Sequence, residues 1–168
     1  MSASKQIVVQ DACVIFDLID LGLMASFFSL EITVLTTPQV IMEVLDGDQM
    51  NITNEFITDG KLTIEGNGSL TDIEKMLGEN SGLSFADSSV LELAIRKSGA
   101  VLSSDLKLRN ATARNRLTVR GILWVVEELY TANLLTATEA IEKLRMYERI
   151  NDRAPRAEIK ALIERLSK

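Results

Sequence analysis

Four acidic side chains occupy positions from which alternating strands and helices would bring them together. Asp11 closes the β-branched run Ile7-Val8-Val9, and Asp105 follows the short apolar run Ala100-Val101-Leu102. Asp87 falls in the first turn of a helix, with Val90, Leu91, Ala94 and Ile95 after it at helical spacing. Glu43 is expected about one turn inside a helix opened by Thr37 as N-cap and Pro38 at the first helical position. Carboxylates converging without counter-charge repel, which raises some of their pKa values. A divalent cation removes that cost, and an oxygen-only ligand set suits Mg2+ or Mn2+. Each acid also has an ordinary structural role open to it. Asp11 and Asp105 can cap helices, Asp87 can close a capping box with Ser84, and Glu43 can be a surface residue between apolar neighbours.

The chain of 168 residues has no histidine and one cysteine, Cys13. Ser-His and Cys-His nucleophile pairs, His-ligated zinc and an internal disulfide are thereby excluded. Any catalysis must use carboxylates, lysines, hydroxyls or a hard metal ion. The net charge of −6 argues against a nucleic-acid partner, but the charge is unevenly spread. Lys107, Arg109, Arg114, Arg116 and Arg120 lie in a stretch without acids, a patch able to meet phosphates or simply a solvated helix face. No apolar run reaches the roughly 18 residues of a membrane span. With no basic leader visible either, a cytoplasmic protein without a membrane partner is expected.

The elements that must position the acids can be read along the chain. Strands are expected at Ile7–Val9, Ile32–Leu35, Lys61–Glu65, Ala100–Leu102 and Leu117–Val119. Helical spacing follows at Cys13–Leu21, a second short helix at Leu23–Leu30, and a basic helix at Leu106–Asn115. Asn67-Gly68 suggests a turn and Thr71-x-x-Glu74 a capping box, whereas residues 46–60 are polar and carry no clear assignment. Alternation of this kind gives an α/β fold in three layers, with a mainly parallel sheet of about five strands. Asp11 and Asp105 then emerge at the same edge, flanking the switch point where such sheets bind ligands. Residues 1–135 are expected to form the main domain. Residues 136–168 form charged-and-apolar helices that pack on it or serve a partner.

Several local matches carry little weight. Ser104-x-x-Lys107 has a Ser-Lys spacing that is frequent by chance, Gly66-x-Gly68 lacks the third glycine of a dinucleotide loop, and Asp46-x-Asp48 continues with Met50 where a calcium ligand belongs.

The ordered set does resemble a known family. An acid ending strand one (Asp11), a Glu after strand two (Glu43), an Asp in a Leu-Ser-x-Ala-Asp helix start (Asp87) and an Asp after strand four with Ser103 two places earlier (Asp105) together resemble the PIN-domain nucleases. The likeness runs from about Ile7 to about Leu135 and is nearest to the compact prokaryotic toxins of toxin–antitoxin pairs. It implies Mg2+- or Mn2+-dependent hydrolysis of RNA. Asp11, Asp87, Asp105 and Glu43 would be metal ligands and catalytic residues, and Ser103 would support a carboxylate. Lys107, Arg109, Arg114 and Arg116 would meet RNA phosphates. Beyond RNA, it opens two partners: an antitoxin protein and a second copy of the chain. Family members often carry Ser or Thr where Cys13 stands, and a further acid where Lys107 and Arg109 stand. These departures leave a second reading, a catalytically degenerate module that binds RNA or protein. A third, another Mg2+-dependent phosphoryl-transfer protein, would be better served by an Asp-x-Asp after strand one than by Asp11-x-Cys13.

Overall fold

The computed structural model describes residues 5–66 and 68–168, so the Asn67-Gly68 turn lies partly outside the described residues. Five strands, β1 (Gln6–Gln10), β2 (Ile32–Thr36), β3 (Leu62–Ile64), β4 (Ala100–Leu102) and β5 (Val119–Arg120), form one sheet in the order β3-β2-β1-β4-β5. Every pairing is parallel, with Val9 opposite both Leu35 and Val101. Val8, Val9 and all of β4 are buried, as expected of a sheet covered on both faces. The chain builds outward from β1 to β3, then returns to add β4 on the other side. The order therefore reverses between β1 and β4, and a crevice opens there at the carboxyl ends of the strands.

Helices α1 (Ala12–Asp20), α2 (Met24–Phe27), α4 (Gly47–Thr58) and α8 (Ile122–Thr131) pack together, as do α5 (Leu70–Glu79), α6 (Phe85–Lys97) and α7 (Leu106–Arg114). Because α6 feeds directly into the start of β4, its own first turn lies at the crevice edge. A buried Glu92 fastens α6 to the preceding loop: it pairs with Arg96 Nε at 2.9 Å, and Arg96 donates to Gly66 O at 2.7 Å. The final helices α9 (Ala137–Ile150) and α10 (Arg156–Leu166) bury Leu144, Tyr147, Ile159 and Leu162 in the same apolar cluster as the sheet. Lys143 donates to Leu21 O at 2.7 Å, and Arg165 meets Glu127 at 2.8 Å.

Four local expectations are corrected. Residues 46–60 contain α4, capped by Asp46 through Gln49 N at 3.0 Å. The cap of α5 is Ser69 paired with Asp72, not Thr71 with Glu74. The last strand is displaced to Val119–Arg120. Glu43 is not inside a helix. The helix α3 is only Pro38–Ile41, after which Glu43 N bonds to Val40 O and Val44 N to Ile41 O in tight three-residue steps. With Asp46 already committed to starting α4, the chain has no room to extend α3.

Candidate functional site

Asp11 is the first residue after β1, and its backbone N–H continues the sheet by donating to Leu102 O at 3.0 Å. The residue is only 4% exposed. Its Oδ1 accepts from Ala12 N at 2.8 Å, capping α1, while Oδ2 accepts from Ser103 Oγ at 2.8 Å and from the Cys13 thiol at 3.2 Å. Ser103 Oγ in turn accepts from Asp105 N at 3.0 Å, so backbone, hydroxyl and carboxylate form one chain across the β1–β4 gap. Cys13 Sγ also accepts from Ser104 N at 3.3 Å.

Three acids share this edge electrostatically. Burial pushes the Asp11 carboxyl up, the nearby Asp87 charge adds to that, and the Ser103 and Cys13 bonds oppose it. Glu43 is also raised, first by burial and then by the charges of Asp11 and Asp87. What brings Glu43 there is a buried contact between α3 and α6. Thr37 Oγ1 accepts from Val40 N at 3.1 Å and lies 2.8 Å from Ser89 Oγ. Asp87 sits in the first turn of α6 within a capping box, its Oδ2 accepting from Ser84 N at 3.0 Å. Asp105 caps α7, with Oδ1 accepting from Leu108 N at 2.9 Å. Capping thus coexists with electrostatic contact among Asp11, Glu43 and Asp87, while Asp105 reaches Asp11 through its backbone N–H and Ser103 Oγ.

A divalent cation is the group implied for this rim. As the side chains stand, no three or more His, Cys, Asp or Glu residues among the described residues are close enough together to hold one. Three of the four acids, Asp11, Asp87 and Asp105, hold helix caps with one oxygen each, and the second oxygen of each remains an acceptor. The donor chemistry nevertheless fits a hard cation. It is oxygen-only, negative, and without a lysine or arginine ion pair to any of the four acids among the described residues.

The basic residues divide along α7. Lys107 lies near the crevice edge, its side chain passing close to Gly82 just before α6. Arg109 is committed to the backbone, donating from Nη1 to Ser103 O at 2.7 Å and Arg120 O at 3.0 Å. Arg114 and Arg116 are at the far end of α7, where Arg116 lines a depression with Gln6 and Gly99 at the amino edge of the strands. The structure does not bring that pair to the acids. Cys13, which reads in sequence as a departure, holds Asp11 as a hydroxyl would. Its signal was its position two residues after a strand-ending Asp.

A PIN-domain family model matches residues 7–168. Among solved structures, PAE2754 from Pyrobaculum aerophilum is similar in fold, with a TM-score of 0.58 and 13% identity over 76% of this chain and 99% of that one. FitAcB from Neisseria gonorrhoeae aligns with a TM-score of 0.45 and 17% identity over 67% of this chain and 96% of that one. No curated protein sequence matches significantly. The chain belongs to the PIN-domain family, whose members are generally nucleases.

Proposed function

We infer that the chain hydrolyses phosphodiester bonds of single-stranded RNA at the rim between β1 and β4. The observation that carries this reading is Asp11, a nearly buried carboxylate at the end of the central strand, in the field of Glu43 and Asp87 and in no ion pair among the described residues. Asp11, Asp87 and Asp105 would hold Mg2+ or Mn2+, directly or through water, with Glu43 as a further ligand or as the group that orients the attacking water. Such an ion, when held there, would supply positive charge for the phosphate and would acidify water. Glu43, open to solvent on one side and partly desolvated with a raised carboxyl pKa on the other, suits the proton-accepting role, since a base works best when its pKa nears the working pH. Ser103 and Cys13 fix the Asp11 carboxylate in orientation. Lys107 is the cation on α7 best situated to meet a phosphate beside the acids.

The test is cleavage of a labelled single-stranded RNA by the full chain. Activity is expected with Mn2+ or Mg2+, none in EDTA, and a loss of about 100-fold or more in Asp11→Asn. Undiminished cleavage by that variant would refute the assignment. A growth-inhibiting toxin role would follow from RNA cleavage, and expression in a bacterial host should then arrest growth only with Asp11 intact.

A binding-only reading is favoured by one observation: Asp87 and Asp105 each spend an oxygen on a helix cap. RNA binding without any calorimetric signal from Mn2+ would select it.

A further inference from the structure

Beside the acid crevice, at the carboxyl ends of β4 and β5, lies a second cavity of about 560 Å3. Its walls come from α7, the start of α8 and the α9–α10 turn, and Ser104 separates it from Cys13 and Asp11. That volume falls in the usual range for a pocket holding a small ligand. Three arginines line it, Arg109, Arg120 and Arg153, against one carboxylate, Glu158. In a chain of net charge −6, none of the three is in an ion pair among the described residues.

The arginines differ in what they are free to do. Arg109 is held by the two backbone carbonyls, and Gly121 leaves room for it, since a Cβ there would lie 3.1 Å from Arg109 Nη1. Arg120 projects over the Trp124 ring, 5.5 Å from its centroid, and its buried Nε has no acceptor in the protein. Arg153 is exposed in the α9–α10 turn. Leu106, Leu123, Trp124 and Pro155 supply apolar wall between these charges. Guanidinium groups match phosphate oxygens in geometry, while an aromatic and aliphatic wall takes the face of a base. A lone phosphate would leave that wall unused, and an acidic peptide would leave the ring without a flat partner.

We propose that this cavity seats one nucleotide of a single-stranded RNA, its phosphate against Arg120 and Arg153 and its base against the Trp124 wall. The strand then passes Ser104 into the acid crevice, so the cavity selects which phosphodiester is presented to Asp11. This rests on the nuclease reading for its choice of RNA, but its test can be separated from it.

Trp124 is the only tryptophan in the chain, so its fluorescence reports on the cavity directly. The full chain is titrated in EDTA with nucleoside 5′-monophosphates and a four-nucleotide RNA. Saturable quenching is expected, weakening as salt is raised. Arg153→Gln, at an exposed position, should weaken it about tenfold, and Glu158→Gln should tighten it; melting curves check that both variants fold. Inorganic phosphate or an acidic peptide binding as well as the nucleotides, with the same Arg153 dependence, would overturn the proposal. So would quenching unchanged in Arg153→Gln. If the wild type quenches but never cleaves RNA, the nucleotide seat stands and the nuclease reading falls. If cleavage is metal-dependent while Arg153→Gln alters neither quenching, KM nor cut positions, the reverse holds.

Discussion

Cys13 shows how a single side chain here is governed by its surroundings. Burial and the adjacent Asp11 charge push its thiol up to about 11, with the Ser104 and Ser103 contacts opposing. The group is therefore a protonated donor to Asp11 and not a nucleophile. A free thiol has a pKa near 8.5, so at pH 7.5 native Cys13 should react with iodoacetamide about 300-fold more slowly than in urea. Its rate should rise about tenfold per pH unit through pH 9. Equal rates in native and unfolded protein would mean that the thiol does not serve Asp11. Asp11 itself was legible from sequence as a strand-ending acid because β1 announces itself through consecutive β-branched residues. Its bond to Ser103 was less so, since the two residues are 92 positions apart, whereas Cys13 stands only two residues from it.

At the scale of elements, where a helix begins decides where its acid points. The start of α6 is set by Gly82, at φ +87, followed by the Ser84–Asp87 capping box. Alanine at this position would meet the left-handed steric penalty, and its Cβ would sit 3.2 Å from Lys107 Cδ. Gly82→Ala should cost about 1–2 kcal/mol, read as a lowered urea midpoint with unchanged slope. An unchanged midpoint would show that this turn does not constrain α6. The caps at Asp11, Thr37, Ser84 and Asp105 were readable because a short polar side chain directly precedes an apolar periodicity. The helix α4 was not, since Gly47, Asp48, Asn51 and Asn54 are weak helix formers and Thr53 is its one buried residue. Its packing is instead made by partners elsewhere, such as Phe28, whose ring stacks 4.7 Å from Phe56 of α4. Glu43 was misplaced for a related reason: nothing in Val40–Leu45 signals that α3 stops after one turn. The arginine cavity was equally hidden, because five separate elements, β5, α7, α8, α9 and α10, contribute to it without any local period.

Across the whole molecule, three carboxyl groups among the described residues are held above their ordinary range: Asp11, Glu43 and Asp17. Asp17 reaches about 6, chiefly from burial and then from Asp20, with Asn151 and Ser104 easing its charge without a bond to its buried Oδ2. A raised carboxyl binds its proton more tightly in the folded chain than in the unfolded one. Its contribution to stability is therefore complete below the ordinary value of 3.8 and is lost as pH rises through about 6 for Asp17. Two causes can be separated, because only the rim acids are expected to meet a cation. Asp17→Asn should melt about 2–4 °C higher than wild type at pH 7, corresponding to about 1 kcal/mol, with the difference vanishing near pH 4. Mn2+ should raise the melting temperature of both proteins at pH 7, and of neither near pH 4, where protons compete for the same oxygens. In Asp11→Asn the Mn2+ increment should shrink while the Asp17→Asn increment persists, since the two groups act from different places. If Mn2+ instead stabilised Asp11→Asn as much as wild type, the cation would be bound away from the β1–β4 crevice. The raised values of Asp11 and Glu43 would then reflect burial and the mutual repulsion of the rim acids without a cation to relieve it.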